Sequence, residues 1–552
     1  MKFDRRKSTL AIYGIKDIKN TGFPVFVHDH NVSFFRGGEV KKYLQLERVT
    51  RSKFDNSLSK NIYNVLKSEQ LIAEDADVVF VDNVIGRSFI SDDGEVRFET
   101  SLNKCLQEGL EEGNLWWYGK QKEAFVLNHE LAHVYSCVPF FGNFKENSLL
   151  IHFDGGASLS NFSAWTYKDN CLKREEYHWD LKYLSSLFNA NALSFAIIGA
   201  KEFEQHSVPG KLMGFSSFGK YSEEIEKWIV SNNYFQDIWR KKSVFFQKAK
   251  TDFGVEIRGF DQRNQFLQNV AATFQYIFQR DFIRKIADLR DKTQSEYLYL
   301  TGGSALNILT NSEIVNRHLF RDVFIPPCTG DSGLSIGAGA FIELLKHGEL
   351  KTHSPYLNNW NIDLEMMNYS EIDVKELAQF LSKGKVVGVC NENAESGPRA
   401  LGNRSILALA NSKRMAKKVS EEHKKREWYR PVAPIMLEKN TKYYTGMKQI
   451  HHLSKYMLLD FRILEEKKHE IEGVVHVDGT SRIQTIFERK ENLFIYDLLH
   501  ELDKNYGIKA LINTSFNIKG EPIVHTADDA MKSAQEMNLD AVVINGKLQI
   551  IE

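Results

Sequence analysis

Cysteine is scarce: Cys105, Cys137, Cys171, Cys328 and Cys390 are the five in 552 residues, and no two form a C-x-x-C pair. That excludes a disulfide framework and a cysteine-built zinc site, and it fits a reducing compartment. An excess of charge is also missing. The 72 lysines and arginines equal the 72 aspartates and glutamates, so net charge gives no pull toward nucleic acid or acidic lipid. No apolar run is long enough to span a bilayer; the longest, near Leu193–Ala200, falls far short. The basic start MKFDRRK is followed only by Leu10–Ile15 before Lys16 and Asp17 interrupt it, which is no secretion signal. Low-complexity tracts and short-period repeats are absent too. The expectation is a cytoplasmic, enzyme-sized protein with length for three or four lobes and no nucleic-acid or membrane partner.

The stretch that organises the chain is 128–156. His129 and His133 stand four apart, so on a helix they share one face and can reach a single metal ion. Ser148–Phe153 reads as a short buried strand ending in Asp154-Gly155-Gly156, where a carboxylate suits a third ligand. Two imidazoles and a carboxylate favour iron, zinc or manganese. His129-Glu130-Leu131-Ala132-His133 also spells H-E-x-x-H, the zinc-peptidase helix with Glu130 as base. The longer metzincin pattern fails, because Ser136 and Pro139 occupy the positions of its Gly and third His.

Short apolar runs alternating with helical periodicity predict an α/β architecture with a largely parallel sheet. The run Glu47-Arg48, Arg51, Lys53 and Asp55 reads as a solvated charged turn. In Pro209–Phe215, glycines flank a lone Lys211 that could cradle a phosphate, although this is no Walker loop. Tyr297–Gly303 is a strand whose Gly302-Gly303 opens a helix, a place for a nucleotide to approach. Asp331, in the Gly330–Gly333 loop, is either a fourth metal ligand or an ordinary helix cap. Gly333–Gly337 matches G-x-S-x-G, but it starts a helix without a strand leading into the serine, so it reads as small packing residues.

A fresh α/β unit follows His353–Asp363, which looks like a linker. Arg399, Arg404, Arg426, Arg430 and Arg482 all fall in loops or at element ends among glycines, prolines and small polar residues. Several converging guanidinium groups imply a polyanionic ligand.

With these motifs the chain resembles the NodU/CmcH-type O-carbamoyltransferases over nearly its whole length. The residues that carry the likeness are His129 and His133, Phe153-Asp154-Gly155, Gly210–Gly214, Gly302–Asn307 and Gly330–Gly333. In the second half they are GPRALGNRSI (397–406), KKREWYRPVAP (424–434), HVDGTSRIQT (476–485) and NTSFNIKGEPIV (513–524). The resemblance implies that 1–355 form an actin-like ATPase, threonylcarbamoyl-transferase-like two-lobed domain. After a 356–372 linker, 373–552 form a YrdC-like α/β domain. It implies one divalent metal, iron by resemblance, on His129, His133, Asp154 and Asp331. Lys424 and Arg426 match the K-x-R pair of YrdC-like domains and Ser515 and Asn517 their S-x-N pair; with Arg482 these would form carbamoyl adenylate from Mg-ATP and carbamoyl phosphate. Lys211, Gly302, Gly303, Asn307, Arg399, Arg404, Arg430 and Asn513 would bind nucleotide and phosphate. The acceptor would be a hydroxyl on a sugar or natural product, and a homodimer is a possible assembly. The family usually opens with a His-Asp-rich phosphate turn after its first strand, where Lys19–Phe26 reads KNTGFPVF; Asn391–Ala394 stands where Gly-Arg is common. A catalytically silent nucleotide-binding module is therefore a further alternative beside the peptidase.

Overall fold

The computed structural model describes residues 3–15, 27–83, 88–101, 103–156, 160–188, 197–199, 206–235, 242–257, 261–362 and 367–551. Lys19–Phe26 lies outside the described residues, as does most of Leu193–Ala200. The first sheet contains β1 (Ser8–Tyr13), β2 (Asn31–Arg36), β3 (Glu39–Gln45), β4 (Ala76–Val81), β5 (Ser88–Ile90), β6 (Val96–Glu99), β7 (Leu110–Trp117) and β8 (Lys120–Leu127). The second contains β9 (Ser148–Phe153), β10 (Phe162–Lys168), β11 (Cys171–His178), β12 (Tyr297–Thr301) and β13 (Asp322–Phe324).

The two sheets repeat one plan. The first runs β3-β2-β1-β4-β8, extended by β7-β6-β5, and the second runs β11-β10-β9-β12-β13. In each, three antiparallel strands lead into a parallel set: β1, β4 and β8 in one, β9, β12 and β13 in the other. This is the two-lobed, duplicated arrangement expected of an actin-like unit. Its central strands are covered on both faces, so β4 (ADVVFV) and β9 (SLLIHF) are almost wholly buried apolar runs without alternation. The helix Gln265–Thr293, capped by the Asn264 side chain on the amides of Phe266 and Leu267, runs for 29 residues, about 44 Å. It buries Phe274, Phe278 and Phe282 in the core it shares with β9.

Two helices meet beside the crevice between the sheets. His129–Tyr135 packs on Leu334–His347 so closely that a Cβ on Gly337 would stand 1.7 Å from Ala132 O. The G-x-S-x-G match thus consists of packing residues, as its missing strand implies.

The third sheet lies where the resemblance expects the YrdC-like domain, and one face of it shares a hydrophobic core with the second sheet. It is ordered β19-β16-β20-β15-β14-β21-β22. Its strands are β14 (Val387–Cys390), β15 (Arg404–Leu409), β16 (Ala433–Leu437), β19 (Gln484–Ile486), β20 (Leu511–Ser515), β21 (Ala541–Ile544) and β22 (Lys547–Ile550), with a small pair β17 (Phe461–Arg462) and β18 (Thr480–Ser481) beside it. Asn545 and Gly546, at φ 45° and 83°, close the last hairpin as their sequence predicts.

The charged turn after β3 overturns its reading as a solvated loop. Glu47, Arg48 and Asp55 are buried, and the turn is the joint to the third sheet. Arg48 donates to Gly397 O at 3.1 Å, and Arg51 donates to Ile523 O at 2.8 Å and Pro522 O at 3.0 Å. The segment expected as a linker is anchored as well. Trp360 is 1% exposed and donates to Val65 O at 3.1 Å. Among the described residues no helix is long and apolar enough to cross a membrane.

Candidate functional site

One candidate site lies at the carboxyl ends of the parallel strands. His129 follows β8 by two residues, Asp154 directly follows β9, and Asp331 opens the turn into Leu334–His347. Ligand groups of open α/β sheets collect at such ends. One ligand atom from each of His129, His133, Asp154 and Asp331 lies within 4.8 Å of the others. His133 Nε2 is 3.3 Å from Asp154 Oδ2 and 3.4 Å from Asp331 Oδ1, and His129 Nε2 is 3.9 Å from Asp331 Oδ1. His129 Nδ1 sits 3.2 Å from Asp82 O, a contact that demands an N–H there and leaves the Nε2 lone pair pointing at the cluster. Both Nε2 atoms are buried without a hydrogen-bond partner. Buried polar atoms are rarely left so; two orphaned imidazole nitrogens facing two carboxylates fit a divalent cation.

The electrostatics agree. Burial would raise Asp331, but His28, His133 and His129 outweigh it and hold the carboxyl well below its usual range. Burial would lower His133, yet Asp154 and Asp331 lift it to about 9. His129, for which burial wins, is pushed down.

The second candidate site belongs to the third sheet. Lys424 Nζ donates to Ser515 O, to Asn517 O at 2.9 Å and to Asn517 Oδ1 at 2.9 Å, so the K-x-R and S-x-N segments meet. Arg426 donates to Thr514 Oγ1 at 3.3 Å. Arg399, Arg426 and Arg482 each keep a buried Nε without a partner. Burial depresses Arg482, and Arg399, Arg426 and Arg430 depress it further, so four guanidinium groups repel one another across one space. Lys424 is depressed the same way, by burial and then by Arg426 and Arg430. Among the described residues Glu427 is the one acid in ionic contact with this set, through Arg430 at 3.4 Å. Such a concentration of cations suits a polyanion.

A family model described as "Carbamoyltransferase N-terminus" matches residues 94–340, and one described as "Carbamoyltransferase C-terminus" matches 378–550. Nodulation protein U of Rhizobium tropici is 35% identical over 408 residues, 68% of this chain and 69% of its own length. The chain belongs to the carbamoyltransferase family. Nodulation protein NolNO of Sinorhizobium fredii (strain NBRC 101917 / NGR234) is 25% identical over 573 residues, 96% of this chain and 80% of that protein. Among solved structures, full-length HypF in its phosphate- and nucleotide-bound form covers 62% of this chain and 56% of its own at 11% identity, but with a TM-score of 0.34 the likeness carries no weight.

In this carbamoyltransferase several residues expected to bind nucleotide are spent elsewhere. Arg404 is fully buried and donates to the carbonyls of His525, Asn391, Asn403 and Glu392, so it clamps backbone and does not face the arginine cluster. Asn513 donates to Ala400 O and Gln484 Oε1. Asn307 caps helix Ile308–Asn316 and pairs with Gln275. Lys211 lies in helix Val208–Ser216, not in a phosphate loop, and its ion pair with Glu427 at 3.0 Å crosses to the third sheet. Gly302 and Gly303 do adjoin the metal cluster: at φ +90° Gly302 passes so near Phe153 that a Cβ would meet its carbonyl at 2.4 Å, and a Cβ on Gly303 would stand 3.8 Å from that of Asp154.

Sequence reasoning missed His28 and Asp29. His28 Nδ1 is 2.9 Å from Asp29 Oδ2, and its Nε2 is 4.0 Å from Asp331 Oδ2. This His-Asp pair lies just before β2, beside the cluster. Tyr13, at the end of β1, donates to Asp331 Oδ2 at 3.0 Å. Glu130 points away from the metal ligands, its Oε1 accepting from the Ser160 amide at 3.2 Å and hydroxyl at 3.3 Å, which does not suit a peptidase base. A second group of ligand types, Asp322 with His451 and His452, is a hydrogen-bonding clasp between the second sheet and the third. There the Leu453 amide donates to His451 Nδ1 at 3.3 Å, which puts the ring proton on Nε2, 3.2 Å from Asp322 Oδ1.

Proposed function

We propose that this carbamoyltransferase makes carbamoyl adenylate from carbamoyl phosphate and ATP, with water consumed and phosphate and pyrophosphate released, and then passes the carbamoyl group to a hydroxyl. Lys424, Arg426, Arg482, Ser515 and Asn517 serve adenylation, with Arg399 and Arg430 holding phosphate. Domain 1–355 carries transfer and 373–552 carries adenylation. The observation that carries the reading is the convergence of Lys424 and four arginines with one carboxylate among them. A carbamoyl carbon is a poor electrophile because nitrogen donates into the carbonyl, and AMP gives it a good leaving group. Fixed guanidinium groups stabilise the charge that develops as pyrophosphate leaves.

His129, His133, Asp154 and Asp331 would hold one divalent metal, iron by family resemblance, which when bound acts as a Lewis acid. Asp82 fixes the His129 tautomer, Tyr13 holds an Asp331 oxygen, and His28 with Asp29 offers a proton-carrying group at the rim. The acceptor is a small molecule, a sugar or natural product, met at this end of the chain.

The test is mass spectrometry after incubation with Mg-ATP and carbamoyl phosphate. Carbamoyl adenylate and pyrophosphate are expected only when both substrates are present. ATP left intact under those conditions would leave the silent module, and cleavage of peptides the peptidase.

A further inference from the structure

His152 takes no part in the ligand set above, yet it touches that set twice. It lies on β9, fully buried, two residues before Asp154. Its Nε2 stands 2.9 Å from Asp154 Oδ2, and its Nδ1 stands 3.2 Å from Ser163 Oγ. Ser163 is its cross-strand partner on β10, so strand register delivers that hydroxyl opposite the ring. An ionised carboxylate can only accept, so the ring proton sits on Nε2 and Nδ1 accepts from the Ser163 hydroxyl. The other oxygen of Asp154, Oδ1, accepts from the Gly156 amide at 2.8 Å. The carboxylate is thereby fixed at both ends. The His152 ring also stacks on His133, centroids 4.8 Å apart at 26°.

A histidine inside an apolar strand is ordinarily a satisfied core residue. The core would accept a phenylalanine there at less desolvation cost. A buried imidazole is kept where its polar edges do something specific. Here one edge orients a metal-ligating carboxylate, and one face supports a metal-ligating ring. Groups hydrogen-bonded behind metal ligands set affinity, and losing one costs 10–100-fold.

We propose that His152 is a positioning residue of the metal centre: through the chain Ser163–His152–Asp154 and its stacking on His133 it sets how tightly a divalent ion is held. The inference rests on the metal reading above. His152 itself is no ligand, because its Nε2 proton is committed to Asp154.

Cobalt(II) serves as the probe, titrated into apo-protein against a chelator, with the visible d–d spectrum recorded for each protein. Wild type is expected to bind one ion. His152→Phe fills the same space without the hydrogen bond, and its cobalt affinity should fall about 10–100-fold with a changed spectrum. His152→Gln places an N–H near the old Nε2 position and should recover most of that loss. Ser163→Ala should lose less than His152→Phe. Thermal unfolding of the apo forms checks folding, and the Gln variant carries the decision if Phe proves unstable. Equal affinity and an unchanged spectrum in His152→Phe would make His152 a packing residue only. Three imidazoles around cobalt in wild type and two in His152→Gln, by X-ray absorption, would make it a ligand and overturn the positioning role. No cobalt in wild type would sink the metal reading and this inference with it.

Discussion

Arg482 should trade stability for binding. Its guanidinium is partly buried, has no carboxylate in ionic contact, and is held below its usual value by burial and then by Arg399, Arg426 and Arg430. Without a ligand its charge is a cost to the fold. Arg482→Met keeps an apolar stem of similar reach and removes the charge. Replacing buried ionic groups by hydrophobic ones gains up to about 4 kcal/mol; solvent screening at this partly exposed position reduces the expectation to about 1–2 kcal/mol. The nucleotide-free protein should therefore melt a few degrees higher, on the order of 2–4 °C. With Mg-ATP the variant should gain less than the wild type, closing that gap. A lost charge-assisted bond to phosphate costs about 1.5–3 kcal/mol, roughly 10–150-fold in affinity. At ATP near 100 times the wild-type Kd, the wild type gains about 2.7 kcal/mol and the variant about 0.3–1.4 kcal/mol. Thermal scans with and without Mg-ATP read both effects. A variant that melts lower without nucleotide, or shifts as far as wild type with it, would refute the reasoning.

His133→Ala should bring metal content from about one ion per chain to near zero by elemental analysis, and transfer should go with it, because the remaining donors are too few for a closed site. Gly337→Ala places a Cβ 1.7 Å from Ala132 O, so the His129–Tyr135 helix must retreat by more than 1 Å. Unfolding should show a loss of about 1–3 kcal/mol, and metal titration a weakened site, since ligand distances tolerate only about 0.2 Å. Burial, with Asp478 nearby, pushes Asp460 up to about 6 from 3.8, so the native state binds the extra proton between about pH 4 and 6 and stability falls as pH rises through that window. Asp460→Asn should flatten that fall and gain about 1–2 kcal/mol at pH 7 in denaturant melts, less than the full shift because the group is partly exposed.

The grouping of His129, His133, Asp154 and Asp331 was legible because its signals are local. An i, i+4 histidine pair and an aspartate ending an apolar strand announce themselves within a few residues, and Asp331 needed only its glycine loop. The duplication of the first two sheets was not legible, since β1–β3 and β9–β11 share directions and order rather than residues. Arg399 and Arg404 stand five apart in one motif, yet one faces other cations and the other is saturated by four carbonyls. Nothing in residue type separates them, because the deciding acceptors lie as far off as His525. The 47–55 turn failed for the same reason, its partners being some 350–470 positions away. His28 and Asp29 could have been found: a His-Asp pair stands directly before the apolar run of β2.

The most direct test of the two-site account is carbamoyl-phosphate-dependent exchange of labelled pyrophosphate into ATP, run together on wild type, Arg482→Ala and His133→Ala. Exchange in wild type and His133→Ala, with none in Arg482→Ala, is the predicted pattern. Exchange that survives Arg482→Ala but fails in His133→Ala would put adenylation at the metal cluster and contradict the account.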